Sequence, residues 1–386
     1  MNLIKKYFNQ KTIIFTMIAM LLLSSTTLAA GSIVKNPHES EYGKFVLGPE
    51  MKIPRYGHHA VLLDDGRVLV VGGGVSPEIY DPKKNEFEVL KQGDLGISSY
   101  TDSATLLKDS TVLCMVGTQV TAYAIRWNPK NNEIITIEGI NHGMDSHTVT
   151  LLPNGKLLIA GGEKRGVGYN KKAYLYNPKT SKFERTGDMA AGRRFHEAVL
   201  LDNGKVWIFG GQRDDKKHSI SELYDPKAGK FEEWVAIPEF IKYATGTKLT
   251  NGNILFSNGK ERVVPLLNTA IFNYQTKRFK EGGTLLYDRF SPETLLFPND
   301  KVFLVGGGRG VGLSQKTYTE AEVYDVEKNI SEPAGRMHHA RQRHTLTRLK
   351  NGHILIVGGD SSSTWKIGQS EIFIPSNKLE EGKTND

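Results

Sequence analysis

One unit recurs seven times along this chain. A chain that repeats itself every 44 to 52 residues is restricted to folds in which like units stack or close on one another. The unit opens on an apolar run, as in His58-His59-Ala60-Val61-Leu62-Leu63, turns at Asp64-Asp65-Gly66, and continues as Val68-Leu69-Val70-Val71 into glycines. Two short apolar runs around an Asp-Gly turn predict a β-hairpin. The pattern returns at Val149 to Gly162 around Asn154-Gly155, Ala198 to Gly211 around Asn203-Gly204, Leu295 to Gly307 around Asn299-Asp300, and Leu346 to Gly359 around Asn351-Gly352. Two copies are degenerate: Ala104 to Gly117 turns on Asp109-Ser110, Gly246 to Gly259 turns on Asn251-Gly252, and neither ends in a glycine pair.

The second half of the unit is as regular. An aromatic residue marks a third strand at Tyr80, Trp127, Tyr176, Tyr224, Phe272, Tyr324 and Phe373, and Asp-Pro or Asn-Pro follows it in four copies. Proline cannot donate to a ladder, so it ends that strand and starts a turn. Seven positions after the aromatic comes an apolar residue of a fourth strand, Phe87, Ile134, Phe183, Phe231 and Phe279 in five copies. Each unit is therefore a four-stranded antiparallel sheet. Such a sheet cannot bury both faces alone, but seven of them packed radially can, which predicts an all-β, seven-bladed propeller.

The glycine pair after the second strand and the third-strand Tyr-Asp-Pro resemble the kelch repeat, and the resemblance runs from about Lys44 to Pro375. It implies a fold rather than an activity, since kelch propellers include enzymes, peptide receptors and scaffolds. Lys44-Phe45, then Gly48, Met51 and Arg55, echoes Lys182-Phe183, then Gly187, Met189 and Arg193. Residues 44 to 51 are thus expected to be a displaced fourth strand that completes the seventh blade and protects its edge.

The expected organisation is a signal peptide over 1–30, a lead-in over 31–43, the propeller over 44–376 and a polar tail over 377–386. Lys5, Lys6 and Lys11 precede an apolar stretch from Ile13 to Leu23 and a small-residue end at Ala29-Ala30, the order of parts in a secretory signal. Eleven apolar residues fall short of the ~20 that span a bilayer. Export to a periplasm or beyond, with no stable membrane anchor after cleavage, is the expectation. Removal of the segment lowers the formal net charge from +8 to about +5, which argues weakly for any polyanionic partner, and no nucleic-acid partner is expected.

Candidate chemistry lies on the face that carries the loops entering each first strand. Eight residues before the first hairpin turn stand His58, Asp102, His147, His196, Ala244, Pro292 and His344; three residues earlier, Arg55, Arg193, Arg289 and Arg341. Asp102 between His58 and His147 would place a carboxylate between two imidazoles, an arrangement suited to proton transfer, so these three are the catalytic candidates. The four arginines with His196 and His344 are the ligand-binding candidates, because guanidinium forks take carboxylates bidentately. Lys164, Arg165, Lys171, Lys172, Arg213, Lys216, Lys217, Lys260, Arg262, Arg309 and Lys316 on neighbouring loops suggest a basic rim. An acidic glycan or an acidic peptide is the expected partner, bound rather than transformed.

The resemblance also implies alternatives. Copper-radical oxidases of the galactose oxidase type are kelch propellers whose chemistry needs a cysteine cross-linked to a tyrosine and a pair of histidine ligands. The sole cysteine here, Cys114, sits within an apolar strand, so that chemistry is not expected, nor is any other cofactor or metal. A sialic acid mutarotase is another kelch enzyme, and Asp102 or Glu293 with Arg55 or Arg289 are the residues that would serve such a reaction.

Overall fold

The computed structural model describes residues 36–380, apart from 74–75, 91–100, 118–121, 141–144, 165, 216, 218, 239–243, 258–259, 262–263, 266, 291 and 310–315. The expected signal peptide lies outside the described residues. Within them the chain is nearly all β, in seven antiparallel sheets of four principal strands, six of them built in chain order from the inner strand outwards. The first blade runs His59–Leu62, Val68–Val71, Glu78–Asp81 and Glu86–Val89.

The second strand of each blade shows why the apolar runs do not alternate with polar residues. Both faces of the sheet are buried, and successive side chains serve opposite neighbours. Val68 and Val70 pack with Leu355 and Val357 of the seventh blade, whereas Leu69 and Val71 pack with Val112, Cys114 and Val116 of the second. The alternation continues around the ring: Leu113 and Met115 meet Leu157 and Ile159, Leu158 and Ala160 meet Val206 and Ile208, and Trp207 and Phe209 meet Ile254 and Phe256. Leu255 meets Val302 and Leu304, and Phe303 and Val305 meet Ile354 and Ile356. Seven apolar clusters thus fill seven junctions, and each fully buried side chain contributes about 1.5–3 kcal/mol.

Third and fourth strands are riveted by the aromatic pairs read from the sequence. Tyr80 faces Phe87 with ring centroids 5.1 Å apart, Tyr176 faces Phe183 at 5.1 Å, Tyr224 faces Phe231 at 4.7 Å and Phe272 faces Phe279 at 4.7 Å. In the seventh blade the partner comes from the other end of the chain. Gly43–Glu50 pairs antiparallel with Gln369–Pro375, placing Phe45 opposite Phe373 at 4.8 Å. The expected displaced strand therefore closes the last blade, with a bulge between Leu47 and Glu50.

Residues 377–380, the start of the expected polar tail, pack onto the propeller. Asn377–Glu380 forms a helical turn whose Leu379 is buried in the last junction. Lys378 pairs with Glu41 at 2.7 Å and lies over the Tyr42 ring, while Ser376 donates through its backbone N–H to Tyr42 O at 2.9 Å. The packed fold extends to residue 380 because one apolar side chain, Leu379, has a core cluster to enter.

Candidate binding site at the mouth of the channel

The segment entering each inner strand and the loop leaving the second strand lie together on one face. Bridges Asp145 to Glu163, Phe290 to Gly308 and Gln342 to Asp360, and the pairing of Arg193–Arg194 with Gln212–Arg213, join them in four blades.

The four expected ligand-binding arginines do not reach this surface. Arg55, Arg193, Arg289 and Arg341 are each 0% exposed, and each pairs with a buried glutamate of its own blade's third strand: Glu78 at 2.8 Å, Glu222 at 2.5 Å, Glu322 at 3.1 Å and Glu371 at 2.9 Å. Three also donate to the carbonyl of a glycine after the second strand, Arg55 to Gly72, Arg289 to Gly306 and Arg341 to Gly358. The glutamates accept backbone N–H groups of the entering segment as well, from Lys52, Ala190, Leu286 and His338. Each Arg–Glu pair is a clamp that satisfies backbone groups of a loop that would otherwise be buried without partners. Burial pushes the arginines below their usual range without making them available, so they are corrected from ligand contacts to structural residues.

The histidines follow the same logic. His58, His147, His196 and His344 are buried. Three bond through Nε2 to a hydroxyl of the preceding blade: His58 to Thr345 at 3.0 Å, His147 to Ser103 at 3.1 Å and His196 to Thr148 at 3.0 Å. The rings of His58, His196 and His344 rest on glycines of that blade; a Cβ on Gly358, Gly161 or Gly306 would stand 2.4–2.5 Å from a ring carbon. Desolvation, reinforced by nearby arginines, depresses these three imidazoles well below 6.5, so they stay neutral. The expected trio is not assembled by its imidazoles, since His58 turns away from the second blade and His147 bonds Ser103. The Asp102 side chain lies outside the described ones.

What the mouth does present is a set of aromatic rings stacked with guanidinium groups. Residues immediately before the ring position adopt left-handed backbone in four blades: Gly57, Ser146, Phe195 and Arg343, with φ of 57°, 62°, 52° and 53°. For a bulky residue this conformation costs on the order of 1–2 kcal/mol, and here it turns the side chain out of the blade. Phe195 is 57% exposed. Arg194 lies 5.0 Å over Tyr169 and 4.9 Å over Phe195, and is fixed by Gln212 and Glu163. In the seventh and first blades, Arg343 lies 4.2 Å over Tyr56, which meets Trp365 edge-on at 5.6 Å, and Trp365 is 71% exposed. Asp360 accepts from Arg343 Nε at 2.7 Å and Nη2 at 2.6 Å and so raises its pKa, leaving Nη1 without a partner among the described residues.

Two cations of the expected basic rim are paired with carboxylates. Arg213 is buried on Asp215, and Arg309 pairs with Asp288 at 2.8 Å. Arg165, Lys216 and Arg262 lie outside the described residues. Deeper in the channel, Glu197 and Glu293 stand on the inner strands of the fourth and sixth blades, where other blades carry His59, Ser103, Thr148, Thr245 and Thr345. Both carboxyls are pushed up to about 7 by desolvation, and the charge of Glu197 contributes to raising Glu293. Among the described residues no group of three or more His, Cys, Asp or Glu side chains is placed to hold a metal ion, and Cys114 is a buried thiol pushed up to about 12.

No protein-family model matches the chain, and no curated protein sequence matches it. Among solved structures it is similar to YjhT, at 13% identity and a TM-score of 0.56, with 86% of this chain and 98% of that one covered. It is also similar to a fungal alcohol oxidase of the AA5 family in complex with copper, at 14% identity and a TM-score of 0.50, with 74% and 77% covered. The fold is a kelch-type β-propeller. At these identities the likeness carries the fold and no chemistry, and the donor set above does not fit a cysteine-dependent copper centre.

Proposed function

We propose that this propeller is a binding module that takes an anionic ligand, an acidic glycan in preference to an acidic peptide, across the mouth of its channel. The observation that carries this reading is the pair of exposed aromatic–guanidinium stations, Trp365–Tyr56–Arg343 and Phe195–Tyr169–Arg194, held out on strained backbone. An exposed indole or phenyl face stacks on a sugar ring, and the free Nη1 edge of Arg343 offers a charge-assisted hydrogen bond to a carboxylate. The test is calorimetric titration with acidic oligosaccharides, their neutral counterparts and acidic peptides. Trp365→Ala and Arg343→Ala should each weaken the acidic glycan at least tenfold, and the Arg343 effect should shrink with salt. Unchanged affinity in both variants refutes the reading.

One observation favours a second reading, a carbohydrate-active enzyme of the epimerase kind. Glu197 and Glu293 titrate near the pH at which a general acid or base works best. Turnover of an acidic sugar that is lost in Glu293→Gln would support it over simple binding.

A further inference from the structure

On the opposite face, where the hairpin turns lie, the junction of the second and third blades holds a cavity of about 450 Å³. That volume lies in the ~300–1,000 Å³ range of small-molecule sites. It is lined by Lys108 and Asp109 from the first turn of the second blade, Asn154 and Lys156 from the first turn of the third, and Asn177 and Lys179 from its outer turn. Equivalent turns elsewhere are drawn together by their own polar groups. Thr250 donates its N–H and hydroxyl to Asp300 at 2.8 and 2.7 Å between the fifth and sixth blades, and Lys248 reaches Asp202 at 2.5 Å between the fourth and fifth. Between the second and third blades the turns are spanned by Lys108 Nζ on Pro153 O at 3.0 Å.

Arg126 of the second blade ties the walls of the cavity together. Its guanidinium pairs with Asp109 and donates to Thr111 Oγ1, Pro178 O and Ser181 Oγ, each at 2.9 Å, so that it ties the outer turn of the third blade to the first turn of the second. This fixes the walls in advance, and the ordering cost of binding is correspondingly small. It also settles the local charge. Arg126 neutralises Asp109, and Glu184 neutralises Lys156 at 2.8 Å. Lys108 rests on an uncharged carbonyl, and Lys179 Nζ has no partner among the described residues. Asn154 and Asn177 spend Oδ1 on the N–H groups of Lys156 and Lys179, leaving two amide donors at the cavity.

We propose that this cavity is a second binding site, for a monosaccharide-sized anion: a sugar bearing one carboxylate or phosphate, its charge between Lys108 and Lys179 and its hydroxyls on Asn154 and Asn177. The site is independent of the one at the mouth. Glucuronate, glucose 6-phosphate and glucose are titrated into the full chain by calorimetry, alongside the variant Lys108→Met/Lys179→Met. Saturable binding of glucuronate or glucose 6-phosphate, absence of glucose binding, and at least a tenfold loss in the variant at an unchanged unfolding midpoint are expected. The anion that binds more tightly identifies carboxylate or phosphate as the recognised group. Saturation by neither anion overturns the proposal, as does binding that survives in the variant, which would place the anion elsewhere, the mouth included.

Discussion

Glu197 and Glu293 allow the cost of charge in the channel to be measured directly. Each carboxyl titrates near 7 in the folded protein against an ordinary value of 4.5. Between those values the native state binds more protons than the unfolded chain, so stability falls as pH rises. The favourable contribution is fully present below 4.5 and is lost as pH passes through about 7. At 1.36 kcal/mol for each unit of pKa, a wholly enclosed carboxyl would lose about 3 kcal/mol. Both residues are only partly buried, and solvent screening brings the figure to roughly 1–2 kcal/mol each. Glu197→Gln/Glu293→Gln should therefore unfold at nearly the wild-type urea midpoint at pH 4.5 and be about 2–4 kcal/mol more stable at pH 8.5, with m unchanged. The two charges repel, so either single variant relieves part of the strain on the other, and the single gains should sum to more than the double gain. A wild-type-to-variant difference that is the same at pH 4.5 and 8.5 would refute the reasoning.

Other consequences are equally open to measurement. Glu371→Gln removes the counter-charge of buried Arg341 and leaves one carboxamide oxygen where the N–H groups of His338 and His339 had two carboxylate oxygens; chemical denaturation should show a loss of about 3–5 kcal/mol, and Arg341→Met/Glu371→Leu should not restore it, because the backbone groups that the pair satisfies then lose their partners. Gly358→Ala sets a Cβ 2.4 Å from the His58 ring at a φ of 62°, and thermal unfolding should register a loss of several kcal/mol, against about 1–2 for Gly166→Ala, which at a φ of 77° meets the same backbone strain in open surroundings. Phe45→Ala, which removes the ring facing Phe373 at the closing strand, should cost about 3–5 kcal/mol by urea titration, with hydrogen exchange accelerated most in Gln369–Pro375.

The architecture was legible in the sequence because its signals are local. Turn, glycine pair and third-strand aromatic recur within each unit, and Phe45 betrays the closing strand by repeating the context of Phe183. The mouth was misread because the partners that decide a side chain's role lie on other strands. Arg55 finds Glu78 23 residues on, and Arg289 finds Glu322 33 residues on. A signal was nonetheless present: the blades with this arginine are those with glutamate two residues before the third-strand aromatic, at Glu78, Glu222, Glu322 and Glu371. The histidines turn to the preceding blade, a direction that residue spacing does not encode. Phe195 and Arg343 were overlooked because their display depends on a left-handed φ that neither residue type advertises. Glu197 was visible only as an acidic residue at a repeat position that, apart from Glu293, holds serine, threonine or histidine.

The closing strand also sets an order of events. Gln369 Nε2 reaches Gly48 O and Ser370 Oγ reaches Pro49 O, contacts that each span 321 residues. During synthesis the segment Gly43–Glu50 emerges early and has no blade to join until the last one has left the ribosome. Six blades can assemble as they are made, but the ring stays open until the final strands arrive, and loops of this length close late and slowly. A chain halted anywhere short of Pro375 is left as an open arc with a bare strand at each end, sticky toward its own kind, so the last few residues decide whether the first ones are ever safely paired.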